Sequence, residues 1–78
     1  MTKYNLSADE RADAARRAVS LATRHDAEAL AVLLHQRRRR QRLMREMNMP
    51  RECQREMAVS VAAATMARGL ALDVETTP

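Results

Sequence analysis

The sequence contains few of the residues that usually build a thick core or mark a turn. It has no phenylalanine, tryptophan or isoleucine, one tyrosine, one glycine and two prolines. Its apolar residues are largely alanine, leucine and methionine, which favour thin contacts between closely spaced helices. Cys53 is the single cysteine, so an intrachain disulfide is excluded and a reduced thiol in the cytoplasm is expected.

Patterns of membrane insertion and of catalysis are also missing. No hydrophobic run reaches the roughly 18 residues that span a bilayer, and the N-terminus has no signal-peptide pattern, so no membrane association is predicted. His25 and His35 have no cysteine or carboxylate at ligand spacing, which argues against a metal or other cofactor. Because neither histidine has a positioned acid and Cys53 has no activating neighbour, we predict that the protein is not an enzyme.

The small size of the chain limits how much surface it can bury. A domain of 78 residues buries only about 60 to 65% of the surface that its unfolded chain exposes. Such domains are usually stabilised by disulfides, metals or self-association, and the sequence argues against the first two. A homodimer is therefore expected.

What the sequence does have is a cluster of arginines in its middle. Of its fourteen basic residues thirteen are arginine, and the net charge is +4. Since a GC-rich genome can raise arginine content without a functional reason, only the clustering is informative. Residues 36–45 contain six arginines: Arg37, Arg38, Arg39, Arg40, Arg42 and Arg45. Like charges three and four residues apart repel on a helix, so an acidic partner is expected to relieve them.

The spacing of caps and apolar residues predicts an all-α domain of three helices. Ser7 and Glu10 form a capping box at the start of the first helix. Pro50 suits the first turn of the third, and Gly69 suits a helix stop. The predicted helices are 8–22, 24–47 and 50–68, between a lead-in at 1–6 and an extended tail at 70–78. The rival interpretation joins the first two into one helix, 8–47, in a coiled-coil dimer.

A helical hairpin would offer some of the arginines internal partners. Pairing the first two helices in antiparallel fashion places Asp9 near Arg38 and Glu10 near Arg37. Only three carboxylates of the first helix are available to the six arginines, so this arrangement leaves part of the charge to a partner. Surface ion pairs of this kind contribute about 0 to 1 kcal/mol each.

The third helix is apolar nearly all round between Met57 and Ala67. One intrachain contact face cannot cover such a helix, so part of it is predicted to form the dimer or partner interface. The residues of this predicted interface are Met57, Val59, Val61, Ala62, Ala63 and Met66.

These features together predict a small binding protein. A regulator or inhibitor that contacts an acidic host protein is the leading interpretation, because six methionines give a surface that can adapt to a protein partner. Phages and mobile elements encode small proteins of this general type. The alternative is a nucleic-acid-binding protein, in which the arginines from Arg37 to Arg45 contact phosphates on both sides of a groove.

Overall fold

The structure of the protein is a computed structural model that describes residues 5–76. Three α-helices make up nearly all of that range: α1 (Ala8–Arg24), α2 (Ala27–Glu46) and α3 (Arg51–Thr76). Residues 5–76 contain no strand. The prediction of an all-α domain with three helices is confirmed.

The start of α1 follows its local sequence. The Glu10 amide donates to the Ser7 hydroxyl at 3.1 Å, and the Ser7 amide donates to the Glu10 carboxylate at 2.8 Å. This reciprocal pair is the predicted capping box, and it satisfies two backbone amides that the helix leaves unpaired. Leu6, just before the cap, packs against the core, while residues 1–4 of the predicted lead-in lie outside the described residues.

The first two helices are separate, so the single helix 8–47 is wrong. The break lies at His25 and Asp26, two residues beyond the predicted cap Thr23. Asp26 is the N-cap of α2, and its carboxylate accepts from the Ala29 amide at 2.8 Å. The Thr23 hydroxyl instead donates back to the Val19 carbonyl inside α1.

The break between α2 and α3 falls where Pro50 predicts it. Asn48 takes the left-handed conformation with φ of 55°, which asparagine tolerates better than most residues. Residues 47–50 then reverse the chain and α3 begins at Arg51, directly after the proline.

The predicted stop at Gly69 is wrong, because α3 continues to Thr76. Gly69 does not have a positive φ, so it is an ordinary helical residue and not a cap. A single helical glycine costs only about 1 kcal/mol relative to alanine, and burial of Ala71 beyond it offsets that loss. The predicted extended tail is thus helical from residue 70 to 76, and residues 77–78 lie outside the described part.

The hairpin register is also wrong, because α3 is the central helix. Helices α1 and α2 each pack along α3 and contact each other little. Glu10, in the first turn of α1, bonds to Arg55, near the start of α3, so these two helices run in the same direction. Glu10, the carboxylate predicted to face Arg37, is therefore bound by Arg55, which lies 45 residues further along the chain.

The core is thin, as the composition predicts. Alanines four residues apart on α1 (Ala14 and Ala18) and on α3 (Ala63, Ala67 and Ala71) are buried in one cluster. Because such small side chains allow close approach, the two helices pack along their backbones. Among the described residues, Leu30 is the only large side chain that is fully buried.

Helix α3 also has the length and composition of a helix that could cross a membrane. The prediction that no apolar run reaches that length is therefore wrong for Arg51–Glu75. In this fold the same helix is the one on which α1 and α2 pack. A central helix in a globular domain is apolar on several sides for that reason alone.

Candidate interaction surface on the second helix

Five of the six clustered arginines are exposed along the second half of α2. They are Arg38, Arg39, Arg40, Arg42 and Arg45, and within residues 5–76 none of them forms an ion pair. We call these five residues the arginine surface. Arg37 is different, because it is half-buried and its guanidinium donates to the Ser60 carbonyl at 3.1 Å.

Two of the three carboxylates of α1 that were expected to face the cluster, Glu10 and Asp13, are bound to other arginines. Asp13 and Glu56 both bond to Arg17, at 2.9 and 2.7 Å. Those two bonds raise the pKa of Arg17. Glu10 is held by Arg55, so internal pairing does not explain the cluster. The repulsion between the clustered arginines therefore remains at the surface, where an acidic group from outside the chain can relieve it.

The bond between Arg55 and Glu10 is one of two ion pairs between α1 and α3 among the described residues. It is bidentate, with the Nε of Arg55 donating at 3.0 Å and its second nitrogen bonding to the other carboxylate oxygen. This bond, together with the amide of Ser7, lowers the pKa of Glu10 from 4.5 to about 2. A planar, two-point contact of this kind fixes the relative position of the two helices.

Three residues of the arginine surface share one side of α2. At 100° per residue, Arg38, Arg42 and Arg45 fall within an arc of about 60°. Arg39 lies next to that arc, and Arg40 lies across the helix from it. A flat acidic surface could therefore meet three or four guanidiniums at once.

An apolar strip lies between Arg39 and Arg40, on the side of the helix away from the other three arginines of the surface. Leu43 and Met47 are four residues apart, and their side chains are 49% and 69% exposed. Met44, half-buried, lies next to them and lines an open groove between α2 and α3. The groove measures about 410 Å³ and is lined by Arg40, Met44, Glu52, Cys53, Glu56, Met57 and Ser60.

Sequence reasoning missed this strip, although a signal was present. The helical spacing places Leu30, Leu33, Leu34, Met44 and Met47 on one apolar face of the second helix, which predicts that they share the core. In the structure Leu30 and Leu34 are buried, whereas Leu43 and Met47 are exposed. The five arginines between Leu34 and Leu43 are the sign that burial ends there, because charged residues are rarely buried unless paired.

The predicted interface on α3 is largely internal. Met57, Val59 and Ala63 are buried within the single chain, and Val61 and Ala62 are half-buried. Only Met66 of the predicted set is exposed. The reason is that α3 receives a helix on two sides, so its apolar circumference is covered without a second chain. Homodimerisation stays a prediction, but those buried residues cannot be its contact surface.

A second exposed apolar surface lies between α1 and α3. Val19, Met66 and Leu70 are exposed there, and they line a groove together with Ala15 and Gly69. Asp73 is the only charged residue among those that line this second groove.

Residues 5–76 bring together no set of metal-binding side chains. Groups of three or more histidine, cysteine or acidic side chains able to hold a metal are absent from that range. His25 and His35 are both exposed. Cys53 lies on α3 and is exposed in the groove between α2 and α3.

Comparison with models of protein families, with curated proteins and with solved structures found no match to this chain.

Proposed function

We propose that this protein is a non-catalytic regulator or inhibitor that acts by binding another protein through the outer surface of α2. The partner carries acidic side chains opposite the arginine surface and apolar side chains opposite Leu43 and Met47. The observation that carries the proposal is this juxtaposition of unpaired arginines and exposed apolar side chains on one helix.

The composition of the surface favours a protein partner. Arginine and methionine are enriched at protein interfaces, and binding energy concentrates where apolar anchors fill a pocket inside a polar rim. Met44 lines the groove and can contact such an anchor. Arg39 and Arg40 lie on either side of Leu43 and Met47 and form the polar rim. Phosphates of a nucleic acid would use the arginines and leave Leu43 and Met47 exposed to water.

Nucleic-acid binding is the second candidate function. It is favoured by one specific observation, the exposure of five unpaired arginines within eight consecutive residues of a helix. A helix of this kind could contact phosphates on both sides of a groove. The two candidates differ in their dependence on salt and on the apolar strip.

The deciding experiment compares matched pairs of substitutions. One variant carries Arg39→Gln and Arg42→Gln, a second carries Leu43→Ala and Met47→Ala, and a charge-matched control carries Arg16→Gln and Arg68→Gln at exposed positions outside α2. The partner is captured from the native host in the presence of nuclease and purified. Its binding rates are then measured beside those of random-sequence duplex.

For a protein partner we expect the two groups of α2 residues to act on different rates. Loss of the arginines slows association and reduces its salt dependence, whereas loss of Leu43 and Met47 shortens the lifetime of the complex. The control variant binds as the parent does. If instead the chain binds duplex tightly with a log-log salt slope of roughly −0.9 per phosphate, and Leu43→Ala/Met47→Ala has no effect, the function is nucleic-acid binding.

A further inference from the structure

A second cluster of arginines lies inside the fold, where all three helices meet. Its members are Arg17 and Arg24 from α1 and Arg37 from α2. They line a cavity together with Ser20, Leu21 and Ser60. We call this site the arginine junction. It encloses about 200 Å³, which is smaller than the roughly 300 to 1,000 Å³ of pockets for drug-sized molecules and large enough for a small ion.

Arg37 is the group at this junction that lacks a counter-charge. It is half-buried, and within residues 5–76 it forms no ion pair, with the Ser60 carbonyl as its one hydrogen-bond acceptor. Burial lowers the pKa of Arg37, and the nearby guanidiniums of Arg17 and Arg40 lower it further. A guanidinium has five N–H donors, so most of those on Arg37 remain available to a ligand.

The carboxylates near the junction leave an excess of positive charge. Asp13 and Glu56 both bond to Arg17 and neutralise it. Arg24 is exposed at the rim, where its Nε donates to the Ser20 carbonyl at 3.3 Å. Three guanidiniums therefore face two carboxylates, and Arg40 adds a further positive charge close to Arg37.

The excess of positive charge at the junction disfavours close contact between α1 and α2. Arg17 and Arg24 on α1 face Arg37 on α2 across the junction. Like charges at close range repel, most strongly when they are partly removed from water. Helices α1 and α2 contact each other little, and both pack against α3 instead. An anion between them would turn this repulsion into attraction.

We propose that the arginine junction binds a phosphate group, supplied as free phosphate or as a small phosphate monoester. Arg37 and Arg24 would donate to the phosphate oxygens from two helices, since the planar guanidinium fork matches that geometry. The hydroxyls of Ser20 and Ser60 line the same cavity and can add neutral donors. This site is separate from the outer surface of α2, so it stands whether or not a protein partner binds there.

The experiment measures phosphate binding by the full chain and by two single variants of equal charge. Arg37→Gln removes the central guanidinium, and Arg68→Gln, the control, removes an exposed guanidinium of α3 outside both the junction and the arginine surface. Thermal unfolding is followed in sodium phosphate and in sodium chloride at equal ionic strength. NMR signals of the arginine Nε–Hε groups report which side chains contact the ion.

We expect phosphate to raise the Tm of the parent and of Arg68→Gln along a saturating curve, as a ligand of the folded state must. In Arg37→Gln the affinity for phosphate should fall by about tenfold or more. The Nε–Hε signals of Arg37 and Arg24 should shift with phosphate and not with chloride. Equal responses of the two variants, or a rise in Tm that never saturates, would overturn the proposal.

Two further arms complete the test. If Arg37→Gln fails to fold, as judged by far-UV circular dichroism, Arg24→Gln at the exposed rim takes its place, and undiminished phosphate binding by that variant overturns the proposal. Adenosine monophosphate is tested beside inorganic phosphate. Binding of both assigns recognition to the phosphate group alone, whereas binding of inorganic phosphate only assigns the junction to the free ion.

Discussion

Replacing Gly69 by alanine tests the course of α3 directly. In the structure Gly69 is an interior helical residue without a positive φ, and a Cβ built on it meets no atom within 4 Å. The added methyl group therefore neither clashes nor packs, and the substitution changes only the helix propensity of the backbone. Alanine is favoured over glycine in a helix interior by about 0.8 to 1.0 kcal/mol. The free energy of unfolding should rise by that amount.

The sequence-based alternative predicts the opposite sign. If the helix ended at Arg68 with Gly69 in the left-handed conformation, alanine there would be strained and would destabilise the protein by about 1 kcal/mol. For a domain of this size a gain of about 1 kcal/mol raises the Tm by roughly 4 to 8 °C. Urea unfolding followed by far-UV circular dichroism resolves a difference of that size.

Ala12→Gly is the matched control, since Ala12 is exposed in the interior of α1. It should lose about as much stability as Gly69→Ala gains, about 1 kcal/mol. This result would show that the assay registers the propensity difference. A loss of stability in Gly69→Ala beside a normal loss in Ala12→Gly would refute the continuous helix α3.

Two other substitutions test the core and the contact between α1 and α3. Ala63→Glu places a charge at a position with 0% exposure. We expect the free energy of unfolding to fall by several kcal/mol, or the protein to fail to fold. Undiminished stability, measured by circular dichroism, would contradict the buried position. Glu10 contributes stability above its ordinary pKa of 4.5, and this is lost as the pH falls towards its folded value of about 2. Glu10→Gln should remove that part of the pH dependence in acid titrations of unfolding, and an unchanged acid profile would exclude the role of the bond between Glu10 and Arg55.

The parts of the fold that local chemistry controls were predictable from the sequence. Ser7 and Glu10 lie three residues apart and can cap a helix without any distant contact, and Pro50 cannot lie in the interior of a helix without cost, so it marks the boundary before α3. The end of α3 was not predictable in this way. Whether a helix passes through Gly69 depends on the burial of Ala71, and that burial is known only once α1 and α2 are in place.

The same distinction between local sequence and distant contacts applies to the candidate site. The arginine cluster is visible in the sequence, and so is the shortage of nearby carboxylates. Which arginines remain unpaired depends on contacts across the chain, such as the bond of Glu56 to Arg17, 39 residues away. The separation of Arg37 from its five exposed neighbours likewise follows from the packing of α2 on α3, which no local pattern of charges determines.

The central position of α3 has a consequence for the order of folding. Helices α2 and α3 are joined by a tight turn, so their contacts close short loops, whereas the contacts of α1 with α3 join residues such as Glu10 and Arg55 across 45 positions. Loop closure is entropically more expensive for the longer span, and local contacts form sooner. The pair α2 and α3 is therefore the natural nucleus, and α1 is the element that docks last and leaves first.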